Sequence, residues 1–88
     1  MKYKKKENLV CEQIDDEIIV FDTEVEQFYE IEGVGSFLWE NFEDTDLEVI
    51  AQRVCDEYNI KKEIALADIT DFFSDLLDKK LIYQIEDH

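Results

Sequence analysis

Two patterns of apolar residues follow one another along this chain, and they change over near Gly33 and Gly35. Before the glycines the apolar residues come in short runs broken by acidic pairs. Leu9 to Ile14 is a first strand, Asp15-Asp16 a tight turn, and Ile18 to Phe21 a β-branched and aromatic second strand. Asp22 to Glu26 is a second turn, and Gln27-Phe28-Tyr29-Glu30-Ile31 a third strand. Connections this short force an antiparallel meander whose middle strand is paired on both sides and whose outer strands are edges. Pleat parity sets Tyr29 and Ile31 on one face and Phe28 and Glu30 on the other. Ile31, beside the helix junction, turns that first face toward the helices.

Past the glycines the spacing is helical. Val34, Phe37, Leu38 and Phe42 share one face, with Trp39 and Glu40 off it. Thr45 to Glu48 reads as a capping box opening a helix that carries Leu47, Ile50, Ala51, Val54 and Tyr58 and ends near Asn59. Ala65, Ile69, Phe72, Phe73, Leu76 and Leu77 make a third stripe, with Ile69, Phe73 and Leu76 at its centre and Phe72 and Leu77 at its margins. Leu81, Ile82, Tyr83 and Ile85 form a short closing strand or an extended tail. Three strands followed by three helices predict a small α+β domain over residues 8–85. Residues 1–7 are expected to be a flexible Lys-rich arm. The glycines serve the strand-to-helix turn and close packing there.

Charge narrows the function. Over 88 residues there are 24 acidic and 9 basic side chains, a net of −15. Four of the nine are Lys2, Lys4, Lys5 and Lys6, so from Glu7 onward the count is 5 against 24, or −19. Such a surface repels a phosphate backbone, which argues against nucleic acid. No run approaches the ~20 apolar residues of a membrane span, and polar Glu7 and Asn8 follow the basic start where a secretory signal would be apolar. Cys11 and Cys55 are far apart and read as small core hydrophobes in a reducing, cytoplasmic setting.

Catalysis finds little support. The one histidine is His88, the last residue, and neither thiol has a base beside it. Glu43, Asp44, Asp46 and Glu48 lack the ligand pattern of a calcium loop. Neither catalytic residues nor metal or cofactor are expected. Asp68, Asp71, Asp75 and Asp78 flank the last apolar stripe, as a solvated face or as a rim selecting a basic partner.

Val20-Phe21-Asp22, Phe28-Tyr29, Ile31-Glu32, Gly35 and Leu38-Trp39 stand in the order and spacing of the PqqD-like family. Tyr58, Asp68-Ile69, Phe72-Phe73, Leu76 and Leu81-Ile82 continue it, so that residues 9–83 resemble that family. Departures are Glu32 for the usual asparagine, and Asp44 and Lys80 where glycines are usual. The resemblance implies a winged helix-turn-helix that binds the leader segment of a ribosomally made precursor peptide. The leader would add as an antiparallel strand to the third strand and fill the cleft before the last helix. The protein would then present it to a separate modifying enzyme or leader peptidase, of the radical S-adenosylmethionine or lasso-peptide type. Carried onto this chain, the leader-binding residues are Gln27, Phe28, Tyr29, Glu30, Ile31, Asp68, Phe72, Asp75, Leu76 and Lys79. The rival reading is an acidic adaptor or inhibitor on a basic protein. A DNA-reading winged helix is disfavoured by the aspartates of the last helix. A free edge strand permits a monomer or a weak dimer.

Overall fold

In the computed structural model, which describes residues 2–85, a three-stranded meander packs on three helices. The meander is β2 (Leu9–Ile14), β3 (Glu17–Asp22) and β4 (Gln27–Glu32), antiparallel in the order β2-β3-β4. The helices are α1 (Val34–Asn41), α2 (Leu47–Tyr58) and α3 (Lys62–Asp78). His88 and Met1 lie outside the described residues. Asp15, with φ of 54°, makes the two-residue β2–β3 connection, a backbone state that aspartate tolerates.

The helix-facing side of β3 is buried, that of β4 is buried at Ile31 and half-buried at Tyr29, and β2 is exposed except for half-buried Leu9. Ile18, Val20 and Ile31 enter the core with Leu38, Ile50, Ala51, Val54, Ala65, Ile69, Phe73 and Leu76. Tyr29 shares the face of Val20 and Ile31, so the parity expected for it holds. Gly33 has φ of 64° and turns the chain from β4 into α1. At its far end, α3 closes in a Schellman motif: the Leu81 amide donates to the Leu76 carbonyl at 3.0 Å, and the Lys80 amide to the Leu77 carbonyl at 3.0 Å. Lys80 takes φ of 60° there, and Asp44 after α1 takes 56°. Both positions therefore take the left-handed backbone that glycine adopts most readily.

Four expectations need correction. The Lys-rich start is a strand, β1 (Lys2–Lys5), paired antiparallel with β5 (Ile82–Ile85) from Lys2↔Ile85 to Lys5↔Ile82. Tyr3 is only 6% exposed and its ring lies 4.9 Å from that of Phe73. Lys5 sits 4.7 Å above the Trp39 ring, and Lys6 bonds the buried Asp22 at 2.8 Å. Apolar anchoring by one tyrosine, with Lys5 spent on ring faces and Lys6 on a carboxylate, orders a segment that its charge alone would leave in solvent.

Trp39 is buried rather than off the packed face, because α1 has the sheet on one side and α2 on the other. No side-chain hydrogen bond caps α2: its N-cap is Asp46, and the Thr45 hydroxyl donates to the Glu43 carbonyl at 3.0 Å instead. The helix does end at Asn59 in the left-handed conformation. Cys55 packs half-buried against the core, whereas Cys11 is exposed, since β2 is an edge strand that the helices only partly cover.

Asp22 is the one buried charged residue of the described chain, 1% exposed. Its carboxylate accepts from Lys6 and from the Glu24 amide at 3.0 Å. The Lys6 hydrogen bond holds its pKa below the ordinary carboxylate value, and the Lys6 ammonium is raised in return by the same bond. This pair fastens the end of β3 to the segment that follows β1.

Candidate functional site

Strand order leaves β4 as an edge of the sheet, so alternate amides and carbonyls of Gln27–Glu32 point away from β3 with no strand among the described residues to meet them. Beside this edge lies α3, and between them opens a cleft of about 400 Å³. Tyr29 and Ile31 form its strand wall. Phe72, Asp68, Asp75 and Lys79 form its helix wall, and Leu76, Leu38 and Leu81 its floor.

Local sequence explains the shape. A run of 17 residues in α3 places Asp68, Phe72, Asp75, Leu76 and Lys79 at three- and four-residue steps, on the side of the helix that overlooks β4. Phe72 is half-buried, braced on Phe73 with ring centroids 5.9 Å apart. Gly35 brings the first turn of α1 against this wall. A Cβ there would stand 3.1 Å from both Ile31 Cγ2 and Phe72 Cε1, so the missing side chain makes room for both. Lys79 closes one end: its Nζ is 2.8 Å from Asp75 and 5.5 Å from the centre of the Tyr29 ring. Asp68 and Asp75 stand at the rim, and Glu30 and Glu32 adjoin it along β4 from the sheet's opposite face, so the cleft carries carboxylates around an apolar and aromatic interior.

Of the ten residues expected at the site, Tyr29, Glu30, Ile31, Asp68, Phe72, Asp75, Leu76 and Lys79 line this one cleft. Gln27 and Phe28 do not. Gln27 is exposed at the start of β4, and Phe28 projects from the opposite face of the sheet, its ring 4.5 Å from that of Phe21. Glu32, Val34, Gly35, Leu38 and Leu81 join the lining without having been expected there. The Gly33-Val-Gly35 turn was a signal for the first three, since it sets α1 directly behind the strand. Leu38 and Leu81 look like ordinary core positions in sequence, and only the packing of α1 against α3 shows them from the cleft.

Chemically, the cleft offers backbone hydrogen bonds along one wall, apolar contact below and carboxylates above. Such a site suits an extended peptide. Among the described residues no three His, Cys, Asp or Glu side chains are gathered as a metal site, and no helix is long and apolar enough to cross a membrane.

Comparison with known proteins agrees with this geometry. The family profile described as coenzyme PQQ synthesis protein D (PqqD) matches residues 17–82. The solved structure titled TbiB1 in complex with the TbiA(beta) leader peptide superposes with a TM-score of 0.85. It is 27% identical, and the match covers 96% of this chain and 99% of that one. Among curated proteins none matches the sequence.

Proposed function

The chain belongs to the PqqD family, and from that membership and its cleft we propose that it is a recognition protein for the leader segment of a ribosomally synthesised precursor peptide. The observation that carries this reading is the free β4 edge standing over an apolar cleft, in a fold shared with a protein solved bound to a leader peptide. The leader adds to β4 as a further antiparallel strand. Its backbone takes the outward amides and carbonyls, and alternate side chains drop between Tyr29 and Phe72. Asp68 and Asp75 at the rim favour a leader carrying Lys or Arg near the aromatic contacts.

The protein contributes no catalysis. It holds the precursor by its leader so that the core segment reaches a separate modifying enzyme or leader peptidase at raised local concentration. One strand edge with one small cleft gives affinity on the order of micromolar to tens of nanomolar.

Titrating isotope-labelled protein with the leader segment of a short peptide encoded beside it tests the reading. The expected amide shifts gather at Gln27–Glu32 and at Asp68–Lys79. Phe72→Ala, at a half-buried position, weakens binding at least tenfold while the circular-dichroism spectrum stays folded. Binding unchanged by Phe72→Ala removes that residue from the site. No binding by the folded protein favours an acidic adaptor for a basic protein surface, consistent with the net charge of −15.

A further inference from the structure

The helices cover one face of the β2-β3-β4 sheet; the other faces outward and has its own pattern. The strand register sets Val10, Phe21 and Phe28 side by side in one row across it. Glu12, Ile19 and Glu30 form the next row, and Ile14, Glu17 and Glu32 the last. Phe28 is 70% exposed and Val10 57%, and Val25 in the adjoining β3–β4 turn is 55% exposed. The Phe21 and Phe28 rings touch, with centroids 4.5 Å apart and planes tilted by 32°, so the row is contiguous across the two strands. An aromatic this exposed contributes little to folding, and a contiguous apolar row on a small domain marks an interaction surface.

Charge identifies what fits it. Between Lys6 and Arg53 the sequence contains no lysine or arginine, so every ionised side chain on this face is a carboxylate. A second copy of the chain would set the Glu12 and Glu30 row against its own like under two-fold symmetry. Phosphate-bearing surfaces meet the same repulsion. The complementary occupant is a protein patch with apolar residues at its centre and Lys or Arg around them.

We propose that the outer face centred on Phe28, Phe21 and Val10 docks such a basic-rimmed protein, and that this protein is the enzyme that processes the captured peptide. The identity of the partner rests on the leader-binding reading; the chemistry of the face does not. Phe28 and Tyr29 are neighbours on β4 with side chains on opposite faces, so a protein docked on one face lies within about 10 Å, one sheet thickness, of a peptide held along the edge. Docking is thereby independent of the leader sequence, and both can be bound at once.

The test uses the full chain, the leader peptide and the purified modifying enzyme or peptidase encoded beside it, with each affinity measured by calorimetry. Val10→Lys, at an exposed position of β2 on the sheet edge away from the leader strand, is expected to weaken enzyme binding at least tenfold and to change leader affinity less than twofold. Phe72→Ala does the reverse. Phe28→Arg, in the same row but on the leader strand, is expected to weaken enzyme binding as much. Raising salt from 0.1 to 0.5 M weakens enzyme binding to the unaltered protein. Enzyme affinity unchanged by both outer-face variants, salt-independent binding, or no binding by any adjacent enzyme overturns the proposal. So does concentration-dependent self-association abolished by Phe28→Arg, which assigns the face to a second copy. Enzyme binding that responds to Phe28→Arg in a protein that ignores every leader keeps the docking face and discards the leader reading.

Discussion

Replacing Tyr3 by alanine isolates what the first strand contributes. The side chain is 6% exposed and packs against Phe73 on α3 with the rings tilted by 46°, while its strand pairs with β5 at the other end of the sequence. An aromatic side chain withdraws ~150–250 Å² from water, which at ~25 cal/mol per Å² is worth about 4–6 kcal/mol. The methyl that alanine retains, and the partial burial already present in unfolded chains, reduce the expected loss to about 3–4 kcal/mol. That is a large part of the ~4–13 kcal/mol available to a domain of this size. Trp39 is the single tryptophan and is buried, so its fluorescence reports urea unfolding directly. With a slope of about 1 kcal/mol per molar for a small protein, the midpoint should fall by about 3 M. Tyr3→Phe, which keeps the ring, should lose far less. A shift below about 0.5 M for Tyr3→Ala would refute the reasoning, because it would mean that the strand adds nothing to the fold.

Three further outcomes follow from particular contacts. The Lys6–Asp22 pair should stabilise across the neutral range. Asp22 titrates below its unfolded value of 3.8, so its contribution is complete above that pH and disappears as pH falls through the lower folded value. Lys6 titrates above 10.5, so its share is present below 10.5 and is lost as pH rises through the raised value. The stability difference between the protein and Asp22→Asn should accordingly be flat from pH 5 to 9 and shrink in acid; a difference that grows in acid contradicts it. Lys80→Gly should raise stability by about 0.5–1 kcal/mol, since a left-handed non-glycine costs ~1–2 kcal/mol and glycine's greater unfolded freedom returns part of that; thermal melting with Lys80→Ala as control decides it. Gly35→Val should cost about 1–3 kcal/mol through overpacking on Ile31 and Phe72, and leader affinity should drop with it, as calorimetry would show.

Where structure depends on neighbours in sequence, the chain could be read residue by residue. The meander declared itself through its runs and turns, and the α3 stripe divided into centre and margin as Phe72 and Leu77 lie. Parity alone put Tyr29 and Ile31 on the helix side. What escaped depends on partners distant in sequence. Tyr3 is one apolar residue among lysines, and nothing near it signals that Ile82–Ile85 will pair with it. Trp39 is off a single-stripe helix but inside one packed from two sides. Cys11 sits on the helix-facing side of β2 and is exposed because the helices stop short of that edge. The cleft was legible in its two walls, each a local element, and illegible in its floor, where Leu38 and Leu81 arrive from elements that no periodicity connects. Phe28 counts among the expected leader-binding residues as part of the edge strand, and its parity, legible in the sequence, sets its ring on the opposite face, where the structure has it.

The pairing of Lys2 with Ile85 brings the first and last described residues side by side, at the ~5 Å spacing of adjacent strands. Both ends of the described residues therefore lie at one point, on a sheet separate from the one that carries the free β4 edge. A unit with that geometry behaves as a cassette. Spliced into a surface loop of another protein, it would ask the host to part its chain by only about one strand spacing, and neither linker would need to cross the cleft. Fusion to another protein is thus open to this fold at either end or in mid-chain with the β4 edge left clear.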